Sequence, residues 1–119
     1  MKRVLIVDDS MEIRRRVAAL LAESEQIQIV GQAGNKREAM DIIERFRPDT
    51  IILDIRLPDQ SGIEILKQVK ARQPEAMVVM LTNFDSAQYR EQCRRLGADH
   101  FLNKTLEFER LIDTILDDV

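Results

Sequence analysis

The stretch Thr50-Ile51-Ile52-Leu53-Asp54-Ile55-Arg56-Leu57-Pro58-Asp59-Gln60-Ser61-Gly62 decides the fold. Its first four residues form an unbroken run rich in β-branched side chains, stopped by an acid. A strand with one wet face alternates apolar and polar residues, so a continuous run marks a strand buried on both faces, as in a parallel sheet covered by helices. Val4-Leu5-Ile6-Val7 and Met77-Val78-Val79-Met80-Leu81 read the same way. Ile27 to Val30 and His100-Phe101-Leu102 are weaker runs that suit sheet edges. Five strands follow.

Between these runs the apolar period becomes helical. Ile13, Val17, Leu20 and Leu21 share one face, as do Ala39, Ile43 and Phe46. Ile63, Leu66 and Val69 form a third stripe, and Tyr89, Cys93 and Leu96 a fourth. Phe108, Leu111, Ile112, Ile115 and Leu116 make the fifth and strongest. Asp9-x-x-Glu12, Asn35-x-x-Glu38 and Ser61-x-x-Glu64 resemble capping boxes, while Pro48, Pro74 and Gly97 punctuate helix ends. Alternating strands and helices predict right-handed βαβ units in a doubly wound α/β fold. A single domain over 1–119 is expected, its last helix running nearly to Val119 and leaving no tail.

Composition narrows the function classes. With 119 residues, 45% hydrophobic and 33% charged, the chain supports one packed core and is no disordered segment. A net charge of −3 argues against direct contact with nucleic acid or with anionic membranes. The longest basic run, Arg14-Arg15-Arg16, reads as a solvated helix face. Val4 to Val7 stops at Asp8, too soon for a signal segment or a membrane span. The single cysteine, Cys93, precludes an intrachain disulfide and fits a reducing compartment, so a cytoplasmic protein is expected.

Chemistry in an open parallel sheet gathers at the carboxyl ends of the strands, where strand order reverses. The first strand ends in Asp8-Asp9, the third in Asp54, the fourth in Thr82, and the fifth reaches Lys104. Adjacent strands lie about 4.8 Å apart, so neighbouring strand ends bring their acids into one site. Three clustered carboxylates repel one another unless a cation joins them. Oxygen ligands in a half-open cluster suit Mg²⁺. No zinc-type Cys/His spacing, phosphate-cradling glycine loop or nucleophile–base pair is present.

These residues, in this order, resemble response regulator receiver domains of bacterial two-component systems. The likeness runs from Lys2 to about Asp118 and rests on Val4 to Asp9, on Ile51 to Gly62, on Leu81-Thr82, on Gly97-Ala98-Asp99 and on Lys104. It implies a flavodoxin-like (βα)5 fold with strand order 2-1-3-4-5 and helices on both faces. It further implies that Asp54 accepts a phosphoryl group from a sensor histidine kinase or phosphotransfer protein, with Mg²⁺ as cofactor. Asp9, Asp54 and the Arg56 backbone carbonyl would be direct Mg²⁺ ligands, with Asp8 acting through water. Thr82 and Lys104 would receive phosphoryl oxygens, and Thr82 and Phe101 would form a switch. That switch would alter the surface of helix four, strand five and helix five, where an output protein or a phosphorylation-dependent second copy binds. Arg90, Arg94, Arg95, Glu107, Glu109 and Asp113 supply charge for such a contact.

Such a domain is not an enzyme beyond its own phosphorylation and dephosphorylation. Three features depart from the family pattern. Thr105 follows Lys104 where proline is common, so a trans peptide is expected. Asn83 follows Thr82 in place of a smaller residue, and Arg56 and Phe84 occupy positions that bear on phosphoryl lifetime. A haloacid-dehalogenase-type phosphatase would need an acid two residues after its nucleophile, where Arg56 stands. A non-phosphorylated interaction module, or the receiver fragment of a longer DNA-binding regulator, are the other readings.

Overall fold

In a computed structural model, described over residues 1–117, the five apolar runs pair as one parallel sheet. The strands are β1 (Lys2–Val7), β2 (Ile27–Ala33), β3 (Thr50–Leu53), β4 (Met77–Thr82) and β5 (His100–Asn103). Their order is β2-β1-β3-β4-β5, so the direction of winding reverses between β1 and β3. The helices are α1 (Met11–Leu21), α2 (Lys36–Phe46), α3 (Gly62–Arg72), α4 (Ala87–Arg95) and α5 (Leu111–Leu116).

The pleat sends alternate residues of each strand to opposite layers. Leu5, Val7, Ile51, Leu53, Val78 and Met80 pack with Ala39, Ile43, Leu66, Val69 and Cys93, under α2, α3 and α4. Val4, Ile6, Ile52, Val79, Leu81 and Leu102 pack with Val17, Leu21, Leu111 and Ile115, under α1 and α5. Burial on both faces explains why β1, β3 and β4 read as continuous apolar runs. The accessible surface is 6707 Å², close to the roughly 6,600 Å² expected for a packed chain of this mass. The core therefore needs no covalent staple.

Several local expectations shift. The N-cap of α1 is Ser10, whose hydroxyl accepts from the Ile13 amide at 3.2 Å, so Asp9 is not a cap. Asn35 caps α2 as expected, but Glu38 reaches the Gly34 amide, one residue further back. Ser61 caps α3, while Glu64 turns to Lys67. β2 runs three residues past Val30 because a bulge between its pairings with Val4 and Leu5 absorbs one residue. Phe46 is 47% exposed and Tyr89 is exposed as well, although their spacing places them on the apolar faces of their helices. The fifth stripe is divided: a 3-10 turn at Phe108–Arg110 precedes α5. No side chain caps that turn, and Glu107 instead bonds the Asn103 amide at 2.9 Å. The end of the predicted last helix, at 118–119, lies outside the described residues.

Candidate functional site

The sheet ladder continues one step past the strands and fixes each chemical residue at its start. The Asp8 amide donates to Ala33 O at 3.0 Å, the Asp54 amide to Val7 O at 3.1 Å, and the Lys104 amide to Thr82 O at 3.0 Å. Backbones so tied bring Asp8, Asp9 and Asp54 together, with ligand oxygens within 4.8 Å of one another. Asp8 and Asp54 are buried, whereas Asp9 is exposed.

Lys104 closes the cluster from β5. Its Nζ lies 2.6 Å from Asp8 Oδ2 and 2.7 Å from Asp54 Oδ2. The other Asp8 oxygen accepts from the Ser10 amide at 2.9 Å. Asp54 Oδ1 is buried with no hydrogen-bond partner. A buried carboxylate oxygen left bare is costly, and it leaves the site with an acceptor open to an added cation or donor. Three carboxylates with one such open oxygen suit Mg²⁺, a hard ion that keeps waters and takes few protein ligands.

The electrostatics agree. Burial pushes the Asp8 carboxyl above its ordinary range, against the pull of Lys104 and the Ser10 amide, and Asp54 adds to the rise. Burial pulls Lys104 down, but its bonds to Asp54 and Asp8 outweigh this and leave it raised. Lys104 therefore stays an ammonium at neutral pH.

The segment after Asp54 folds back on itself. Arg56 bridges to Ser61, and the Gly62 amide donates to Ile55 O at 2.6 Å. A Cβ at Gly62 would overlap the Asp54 carbonyl oxygen and stand 2.9 Å from its carbon. Asp59 accepts the Lys36 and Arg37 amides at 2.8 and 3.2 Å, pinning the same loop to the start of α2. The Arg56 side chain lies 4.3 Å over the Phe84 ring, joining this loop to the one after β4.

Thr82 is fully buried on the face of β4 that also carries Met80, the register partner of Phe101. Its hydroxyl accepts from the Phe84 amide at 3.2 Å. Phe101 is half-buried, and the Arg90 guanidinium covers its ring at 4.7 Å. Arg90 also approaches Asp85 at 3.6 Å and Glu107 at 3.5 Å. Arg94 pairs with Glu91 and Arg110 with Glu107. With Arg95 3.6 Å from Glu91, four of the charges expected to face a partner, Arg90, Arg94, Arg95 and Glu107, are thus engaged within the chain. The backbone has no cis peptide among the described residues, so Lys104–Thr105 is trans, and Thr105 Oγ1 bonds Asn83 Oδ1 at 3.1 Å. Sequence reasoning did not find Gly62 as a packing requirement, Asp59 as a cap, or Arg90 as a cover for Phe101. Each acts through tertiary contacts that leave no periodic trace.

The sequence profile described as the response regulator receiver domain matches residues 4–116. The chain belongs to this family. An uncharacterized response regulatory protein of Vibrio cholerae is 40% identical over 117 residues, covering 97% of this chain and 47% of that protein. The DNA-binding transcriptional activator DevR/DosR of Mycobacterium tuberculosis is 32% identical, covering 98% and 54%. The receiver domain thus spans about half the length of these relatives. Among solved structures, the signal receiver domain of the response regulator NarL from Mycobacterium tuberculosis superposes with a TM-score of 0.90 at 27% identity, covering 98% and 94%. A chain of the CheX-CheY-BeF3-Mg complex from Borrelia burgdorferi superposes with a TM-score of 0.89 at 25% identity, covering 98% and 87%. The flavodoxin-like order 2-1-3-4-5 is shared with these receivers, and the acidic pocket has the composition suited to Mg²⁺ and an aspartyl phosphate. Among the described residues no helix is long and apolar enough to cross a membrane.

Proposed function

We propose that this receiver domain, taken as one unit over 1–119, accepts a phosphoryl group on Asp54 from a sensor histidine kinase or phosphotransfer protein. The observation that carries the reading is Asp54 itself: buried, flanked by two acids, held at Oδ2 by Lys104 and bare at Oδ1. Asp9, Asp54 and the Arg56 carbonyl would hold Mg²⁺, with Asp8 acting through water. The ion would neutralise charge on the transferring group, which is most of what phosphoryl transfer asks of a protein. The chain's own residues do the rest. An Asp54 oxygen forms the new P–O bond while the P–N bond to the donor imidazole breaks, its electron pair leaving on nitrogen. Lys104, now shared by Asp54 and Asp8, is within reach to bond a phosphoryl oxygen.

Output would follow from Thr82. A phosphoryl oxygen offers its hydroxyl a charge-assisted acceptor in exchange for its place beneath the Phe84 amide. Phe101, on the same side of the sheet, would turn toward the vacated space and away from Arg90. The α4–β5–α5 surface would then meet an output protein or a second copy of the domain. Under this reading the domain is a cytoplasmic signalling module and not an enzyme in its own right.

A second reading has an observation of its own. Because the chain covers about half of relatives that include a DNA-binding activator, it would also serve as the receiver portion of such a regulator. The test common to both readings is incubation with acetyl phosphate, with Mg²⁺ or with EDTA, followed by intact-mass measurement. One added phosphoryl group in Mg²⁺ and none in EDTA is expected. Gain without the metal, or no gain with it, contradicts the proposal.

A further inference from the structure

Arg14 lies one turn inside α1, its amide bonded to Ser10 O at 3.0 Å. Its Nη1 donates to the main-chain carbonyl of Asp8 at 2.6 Å. Its Nε is buried with no hydrogen-bond partner, and among the described residues no carboxylate forms an ion pair with it. An arginine that bonds a neutral carbonyl, pairs with no carboxylate and leaves a buried N–H bare has its position set by that carbonyl. Gly34 makes room for it: a Cβ there would stand 3.1 Å from Nη1.

The peptide so held is the one joining Asp8 to Asp9. The Asp8 carboxylate has its own anchors, in Lys104 and the Ser10 amide. Asp9 is exposed and shares neither. Its alignment with Asp54 therefore depends on its backbone. We propose that Arg14 is a positioning residue for the cation site, pinning the Asp8–Asp9 peptide so that the Asp9 carboxylate stays aligned with Asp54. The inference rests on the reading of the acidic cluster as a Mg²⁺ site.

Charge and position push in opposite directions, and their opposition makes the test decisive. Removing a positive charge near a cation site tightens cation binding, whereas releasing the peptide weakens it. Mg²⁺ is titrated into ¹⁵N-labelled protein and followed through amide shifts, since the sequence has no tryptophan to report binding. Arg14→Met should raise the Mg²⁺ dissociation constant about tenfold, the lower end of the loss seen when support behind metal ligands is removed. Arg14→Lys, which keeps the charge and one donor, should recover part of that loss and serves alone if the methionine variant does not fold. In an Asp9→Ala background the effect of Arg14→Met should shrink to about twofold or less, because its target is gone. Tighter binding in Arg14→Met, unchanged binding with only a lower urea midpoint, or full additivity with Asp9→Ala each overturns the inference while leaving the functional reading intact. Absence of saturable Mg²⁺ binding in the unmodified protein overturns both.

Discussion

Asp8 shows how the site trades stability for charge. Its carboxyl is raised by burial, so the folded protein binds that proton more tightly than the unfolded chain does. Its contribution is fully present below the ordinary aspartate value of 3.8 and is lost as pH rises through the higher folded value. At neutral pH the ionised group works against the metal-free fold. Asp8→Asn should therefore raise the metal-free thermal midpoint at pH 7, with the gain shrinking toward pH 4. An equal or larger gain at pH 4 in scanning calorimetry would refute the sign. The strand-end acids, Thr82 and Lys104 were all readable from the sequence, because an apolar run that stops at a polar residue also marks where the sheet ends. Arg14 was read as part of a solvated face, since its bond to Asp8 O depends on where β1 delivers a carbonyl.

Among the elements, the turn between β3 and α3 has the least freedom. Gly62 is buried against the Asp54 carbonyl, with no space for a Cβ and backbone on the opposing side. Gly62→Ala should cost about 3 kcal/mol in urea unfolding, as overpacking against an unyielding neighbour does, and should slow phosphorylation by displacing Asp54. A loss below about 0.5 kcal/mol would show that the loop relaxes freely. In α5, Leu111 is wholly buried in the core layer it shares with α1, and Leu111→Ala should cost about 2–5 kcal/mol by the same measurement. Helix existence and facing were set by apolar spacing, but details were not. Ser10 rather than Asp9 caps α1, and Glu107 spends its carboxylate on Asn103 and Arg110 instead of opening a regular helix. Phe46 and Tyr89 obey the period yet stay exposed, so burial does not follow from spacing alone.

At the scale of the whole molecule, one sheet carries two independent core layers, and its carboxyl edge joins them to the site. Thr82 and Phe101 lie on the α2–α3–α4 side, so a change at Thr82 has a direct path to Arg90 and the α4–β5 surface. Fluoroberyllate with Mg²⁺ should shift amides of α4 and β5 as well as those beside Asp54, and Thr82→Ala should confine the change to the pocket. Shifts restricted to the pocket in the unmodified protein would end the switch account. The fold class was accessible from sequence because fully buried strands alternating with helices admit few topologies, whereas the strand order followed only from the family resemblance. The pairing of Arg90 with Glu107 was not accessible, since charge pairing across elements depends on their final packing. The central claim is that Asp54 alone takes the phosphoryl group, and peptide mapping of the protein after acetyl phosphate and Mg²⁺ tests it most directly. The account predicts an acyl phosphate on the peptide bearing Asp54 and none anywhere in Asp54→Asn; phosphate on Asp8 or Asp9, or undiminished labelling of the variant, would contradict it.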